Sequence, residues 1–300
     1  MKEIKPSLIS PRFCSDLHEL IELWREFGPA NARFIAKTPL EWVDELRTWA
    51  DDIVGAVEQS RAKEIIRRIK DGGYIVNSPY ESKCWADSVS LAITNPKAFE
   101  FSIGEALDPD PLLSWQEAYE EIADSRRTGW MTNGAAKDVL QYVKPLADTA
   151  NFIYWVDPYF NPFKDDNHLD FLDGVLVHLK NLSCRCVAIV SYNVGNELPY
   201  DLEGEMTRFF SSKLRPGLSL HWHIIRRSSG LELHDRCFIT DKGAIDFGKG
   251  TTLSKTGKKI FKVQYSDSFN HKDLIEKFVR PIDLVVKSKS AKNIAVVTHS

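Results

Sequence analysis

The sequence predicts an α/β domain, with a mixed, largely parallel sheet flanked by helices, over residues 148–286. A mainly α-helical domain over 1–147 precedes it, and a loosely attached tail over 287–300 follows. Three observations carry this reading. A chain of 300 residues suits two domains, each able to bury its own core. Apolar residues recur at helical spacing through the first half. After Asn151 the period changes to short apolar runs alternating with helical stretches, the pattern of βαβ units.

In the first half, Ser15 opens a helix carrying Leu17, Leu20, Ile21 and Trp24 and ending near Gly28. Thr38-Pro39-Leu40-Glu41 has the form of a capping box with proline at the first helical position. Behind it Trp42, Val43, Leu46, Trp49, Ile53 and Val57 keep helical spacing, continued by Ile65, Ile66 and Ile69 until Gly72-Gly73 stops the run. Residues 74–103 read as irregular, with short strands at YIV and AFEFSI. Ser114 and Glu117 form a second capping box, and residues 134–147 one more helix. Six of the 8 tryptophans lie in this half, as core residues or as a base-stacking surface, with the core reading favoured by their helical spacing.

The second half reads as strand 151–160, helix 168–182, strand 184–194, helix 198–214, strand 218–227, strand 234–240 and strand 244–248. The last two form a hairpin turning at Asp241-Lys242-Gly243. A strand at KVQY and a helix over 271–279 complete the domain.

Composition is that of an ordinary globular protein: 43% hydrophobic and 27% charged. No stretch approaches the roughly 20 apolar residues of a membrane span. MKEIKPSLISPRFC has no run resembling a signal peptide. A soluble, cytoplasmic protein is the expectation. Five cysteines without a CxxC pair read as reduced structural thiols. Residues 1–147 carry 18 basic against 24 acidic groups, and residues 148–300 carry 21 against 18. Between Arg226 and Lys292 there are 15 basic and 8 acidic groups. That local excess favours an anionic ligand, although lysines solubilising a sheet edge would give the same count.

His234 and Arg236, two apart on a strand, share a face. Asp241 falls just past the strand end and is expected to turn back toward them. In that geometry an imidazole attacks phosphorus, a guanidinium holds the non-bridging oxygens and a carboxylate orients the ring. Such chemistry needs no metal and no other cofactor. A histidine and arginine that merely cap a sheet edge would read the same way on these residues alone. Arg226-Arg227 supplies basic groups at the mouth of such a site or lies in a solvated loop.

The segment HDRCFITDKGAIDFGKGT, His234 to Thr251, resembles the phospholipase D-like superfamily motif HxKxxxxDxxxxxxGSxN. His234 matches the histidine nucleophile, Asp241 the aspartate and Gly248 the motif glycine. Arg236 replaces the lysine, Lys249 stands in the serine place and Thr251 in the asparagine place. By this resemblance Lys249, Thr251 and Thr252 would support the substrate phosphate. Residues of about 150–286 are also similar to one branch, the domain at the C-terminus of microtubule-interacting-and-trafficking proteins. Asp157-Pro158-Tyr159, His234-Asp235-Arg236 and Gly248-Lys249-Gly250 carry that likeness. The branch implies a non-catalytic membrane-binding module, whereas this chain keeps Asp241, and its first half does not read as the three-helix module of those proteins. Only one motif copy is present, since His178-Leu179-Lys180 sits in a helix with Arg185 in the aspartate place. Catalysis in the superfamily uses two histidines, so a single copy implies a homodimer.

Two other patterns carry less. Gly243-x4-Gly248-Lys249 lacks the Ser or Thr of a phosphate-binding loop, and His221 with His223 has no third metal ligand at useful spacing. Three functions remain. The first is a metal-independent phosphodiesterase, foremost a nuclease working through a phosphohistidine at His234 in a homodimeric site, with prokaryotic defence as its setting by analogy. The second is a non-catalytic module binding phospholipid headgroups or nucleic-acid backbone. The third is a scaffold whose helical half docks a protein partner.

Overall fold

The computed structural model describes residues 4–298 except 79, 106–107, 109–111, 125–129, 133–134, 180–183, 193–199, 226–232, 234, 250–260, 266–267 and 280–290. The chain divides into two compact units, Met1–Thr128 and Gly129–Ser300. The border lies upstream of position 147. The helix before that position packs on a helix of the second unit.

The first unit contains helices α1 (Leu17–Glu26), α2 (Trp42–Asp51), α3 (Ala56–Asp71), α4 (Trp85–Thr94) and α5 (Trp115–Asp124). Asp16 caps α1 by accepting the Glu19 amide at 3.0 Å, while Glu19 accepts the Ser15 amide at 2.6 Å. Ser114 and Glu117 cap α5 reciprocally, the Ser114 amide donating to Glu117 at 2.8 Å. Thr38 does not cap α2. Its hydroxyl donates to the Tyr80 carbonyl at 2.8 Å, and α2 begins at Trp42 without a side-chain cap. Helix α4 also departs from the expected irregular stretch. Its sequence WADSVSLAIT spreads small residues around the helix and leaves no sharp apolar stripe to read.

Four two-residue strands complete this unit, β1 (Leu8–Ile9), β2 (Ile35–Ala36), β3 (Ile75–Val76) and β4 (Ser102–Ile103). The pairs β1–β4 and β2–β3 are parallel, and a Ser7–Ile35 bridge links them. The core collects Leu20, Leu23, Leu46, Ile66 and Ile69 around Trp42 and Trp115. Trp42 is fully buried and its indole donates to the Ile9 carbonyl at 2.7 Å, tying α2 to β1. Trp24 and Trp49 pack against the same core, and Trp85 donates to Asp108 at 2.8 Å. These tryptophans build a core, as their helical spacing favours.

The second unit has β5 (Trp130–Thr132), α6 (Ala136–Ala147), β6 (Phe152–Val156), α7 (Asp166–His178), β7 (Cys186–Tyr192), α8 (Leu202–Phe210) and β8 (Ser219–Ile225). There follow β9 (Asp235–Thr240), β10 (Ala244–Lys249), β11 (Phe261–Tyr265), α9 (Ser268–Leu274) with a π-turn to Val279, and β12 (Ala291–Thr298). Its eight strands form one mixed sheet in the order β12-β8-β7-β6-β9-β10-β11-β5. Strands β6, β7 and β8 run parallel, as the βαβαβ reading requires. The β6–β9, β9–β10, β10–β11, β11–β5 and β8–β12 ladders are antiparallel.

Helices cover both faces of the three parallel strands. On one, Val156, Val190, Ile225, Cys237 and Ile239 pack with Leu274, Ile275 and Val279. On the other, Trp155 meets Phe171 of α7 at a ring distance of 4.3 Å. Helix α6 lies close on α7 because Gly174 has no Cβ; one there would collide with Leu140. All five cysteines are free thiols. Among the described residues no helix is long and apolar enough to cross a membrane.

The expected loose tail is a strand: β12 pairs with β8 from Ala291↔Ile225 to Thr298↔Ser219. Its lysine-rich approach, KSKSAK, hid the alternating stretch NIAVVT behind it. Truncation after Val286 should therefore bare an edge of the sheet. Cross-strand pairs summing to about 2 kcal/mol would lower the melting temperature by roughly 4–8 °C, with self-association visible by light scattering. An unchanged melting curve would show that β12 adds nothing to stability.

Candidate functional site

The carboxyl ends of β6 and β7 converge on Asp157. Strand-like pairing continues past β6, with the Asp157 amide donating to Val190 at 2.9 Å and the Tyr192 amide donating to Pro158 at 3.1 Å. Asp157 is 1% exposed. Its Oδ1 accepts the Arg236 Nε–H at 3.2 Å and the Tyr159 amide at 3.0 Å. Its Oδ2 lies 3.4 Å from His168 Nε2, an ion-pair distance without hydrogen-bond alignment. One carboxylate thus gathers a strand-end arginine, the backbone of the following turn and a histidine from the first turn of α7.

Each partner is fixed by its own surroundings. Arg236 lies one residue into β9 and is 5% exposed, with its guanidinium carbon 5.3 Å from the Tyr159 ring centre. His168 is 2% exposed among Trp155, Phe160 and Phe171, with ring distances of 6.1 Å to Trp155 and 5.2 Å to Phe160. The Asn161 amide donates to His168 Nδ1 at 3.3 Å, nearer than the Asn161 carbonyl at 3.4 Å. Burial by itself pushes the Asp157 carboxyl up. The His168 ring, the Arg236 guanidinium and the Tyr159 amide outweigh it and hold the carboxyl below its ordinary 3.8.

The residues expected from sequence separate into groups. Arg236 stands in the cluster just described. Lys249, the last residue of β10, pairs through its backbone with Asp235, because a bulge between Asp246 and Lys249 shifts the register. That brings the two positions to the same end of the β9–β10 ladder. His234, Arg226, Arg227, Thr251 and Thr252 lie outside the described residues. Leu233, before His234, is 1% exposed, and its amide donates to the Tyr192 hydroxyl at 2.6 Å, anchoring the chain beside the end of β7.

Asp241 corrects the expectation. It lies at the other end of β9, where its carboxylate accepts the Asn151 amide at 2.8 Å and the Asn151 side-chain amide at 2.6 Å. Lys242 Nζ sits 3.2 Å away. Arg236 and Asp241 are five residues apart on an extended strand, about 17 Å at 3.3 Å per residue, and the turn that follows runs into β10 rather than back along β9. Asp241 ties the start of β6 to the β9–β10 turn. The carboxylate beside Arg236 is Asp157 instead. A strand-end Asp before Pro-Tyr was the readable signal for it. His168 had no signal beyond its place in a first helical turn.

His221 and His223 stack on β8 with ring centres 6.0 Å apart and planes 16° from parallel. His221 contacts Ser219 at 2.9 Å, and burial pushes its ring pKa down.

No family model matches this chain, and no curated protein matches it. Among solved structures, one similar chain is TrmBL2, described as an archaeal chromatin protein with a novel mode of DNA binding. It is 11% identical, the match covers 85% of this chain and 83% of that chain, and the TM-score is 0.29. A likeness at that score carries no argument.

Two outcomes follow. Asp157→Ala strands a buried guanidinium and should cost about 3–5 kcal/mol in urea denaturation at neutral pH. Because the Asp157 carboxyl is held below its ordinary value, its contribution is complete above about pH 4 and is lost as the pH falls through the folded-state value. The gap between wild type and variant should narrow only under acid; a gap that narrows on alkalinisation would sink the assignment. Asp241→Ala should cost about 1–2 kcal/mol through the lost Asn151 hydrogen bonds and leave anion binding unchanged.

Proposed function

We propose that the second unit is a phospholipase D-like module that binds a phosphodiester anion at the carboxyl end of β6 and the amino end of β9, through Arg236 with His234 and Lys249. The buried Asp157–Arg236 pair is the observation that carries this reading. A guanidinium fork offers five donors, and Asp157 engages Nε alone. Among the described residues, none meets the Nη atoms. An arginine held so in a dry site is set to accept oxyanions bidentately. With 5% of its surface exposed, it suits one phosphate arriving at its edge rather than a broad duplex surface. The basic excess in sequence between Arg226 and Lys292 favours an anionic ligand.

Binding rather than turnover is favoured because Asp241, which the active pattern would use, stands at the far end of β9. His168 is too deeply buried to touch a bound phosphate. The retained His234, two residues before the buried arginine, supports a second reading. In it the protein is a metal-independent phosphodiesterase or nuclease, with a homodimer supplying the second histidine.

Bis(4-nitrophenyl) phosphate distinguishes them. Calorimetry on the full chain should show binding that weakens as salt rises and falls about tenfold in Arg236→Lys, which keeps the charge and loses the fork. No 4-nitrophenolate should appear. Release of 4-nitrophenolate that persists in EDTA and disappears in His234→Ala would establish the phosphodiesterase reading. Binding indifferent to both salt and Arg236→Lys would remove the site altogether.

A further inference from the structure

We infer that Tyr159 is a base-stacking platform beside the phosphate position, which makes single-stranded nucleic acid the ligand of this site. The inference rests on the anion-binding reading of Arg236 and adds the class of ligand. Three observations meet at this residue. Tyr159 is 53% exposed, although it follows a buried strand end in a chain whose aromatic side chains mostly build cores. Its ring lies 5.3 Å from the Arg236 guanidinium carbon, so one side of the ring is backed by a cation. Its amide donates at 3.0 Å to the same Asp157 oxygen that holds Arg236 Nε at 3.2 Å.

The last point matters most. A stacking surface and a phosphate-binding fork are both tied to one carboxylate oxygen, so their separation is set by the rigid end of β6. A nucleotide presents a flat base and a phosphate at a similarly constrained distance along its backbone. Aromatic faces accept any base, and neighbouring arginines track the backbone, which is how single strands are held without sequence readout. Duplex bases are already stacked and cannot use an isolated ring.

A lipid surface fits less well. Membrane-docking surfaces insert a cluster of apolar side chains such as Trp, Phe and Leu. Among the described residues of the second unit, the exposed large apolar side chains are Tyr159, Val177 and Tyr200, and Val177 lies on α7, one residue before its end, not at the strand ends.

The test uses the full chain and four probes at one ionic strength: oligo(dT), an abasic oligodeoxynucleotide of equal length, a duplex of equal length, and vesicles of phosphatidylglycerol with phosphatidylcholine. Wild type should prefer oligo(dT) over the abasic strand and the duplex. Tyr159→Ala should weaken oligo(dT) binding roughly five- to a hundredfold, the scale of one base–aromatic stack. It should leave the abasic strand unchanged, and Tyr159→Phe should restore the preference. Equal losses on oligo(dT) and abasic strand, or no loss on either, overturn the platform while the Arg236 site stands. Vesicle binding without oligonucleotide binding overturns the ligand class. If no probe binds and bis(4-nitrophenyl) phosphate does not bind either, the anion-binding reading itself fails.

Discussion

Taking a guanidinium out of water at the end of a central strand is tolerable only where a carboxylate meets it in good geometry and its remaining partners are supplied. Asp157 does this for Arg236, and the surrounding structure at the carboxyl edge follows from that requirement. The carboxylate is itself desolvated, one residue past β6, and His168 from the first turn of α7 lies 3.4 Å from it at the strand end. The backbone after β6 bends so that the Tyr159 amide completes the carboxylate's shell. Replacing the pair with apolar residues would be neutral or favourable in many proteins.

Much of the second unit was legible because its local periods and its topology agree. The apolar runs at Ile153–Val156 and Val187–Val190 are bounded by polar segments of helical period, and the parallel β6-β7-β8 core follows. Legibility failed where local pattern was weak or masked by charge. Helix α4 has no sharp apolar stripe. Strand β12 sits behind a lysine-rich approach and gains its structure from tertiary neighbours, the β8 edge and helix α8. Thr38 carries the letters of a cap but gives its hydroxyl to the Tyr80 carbonyl, a long-range choice that local chemistry does not forecast.

The site was half legible for a simple geometric reason. Residues two apart on a strand share a face and an end, so His234 and Arg236 could be grouped by counting. A residue seven positions on shares neither proximity nor end, since an extended chain climbs about 3.3 Å at each step. Asp241 therefore falls at the opposite end of β9, away from Arg236, where the motif letters had grouped the two. The carboxylate that does meet Arg236 comes from a strand 79 positions earlier in sequence, paired antiparallel so that the end of β6 meets the start of β9. Strand order and direction, not spacing, decide that contact.

The same antiparallel β6–β9 ladder separates two demands that the motif letters place together. At one end, Asn151 and Asp241 fasten the ladder with two hydrogen bonds to a partly exposed carboxylate, which stabilises the fold and leaves no cation unoccupied. At the other end, Asp157 and Arg236 bury charge at an energetic cost, with the carboxylate engaging Nε of the guanidinium. Binding sites are commonly built where local consistency is given up against a rigid background. By that criterion the Asp157 end is the one that fits the proposed binding site, and the Asp241 end fastens the ladder. A ligand that binds the folded chain at Arg236 would stabilise it by mass action, so ligand binding and the stability of this end of the ladder should rise together.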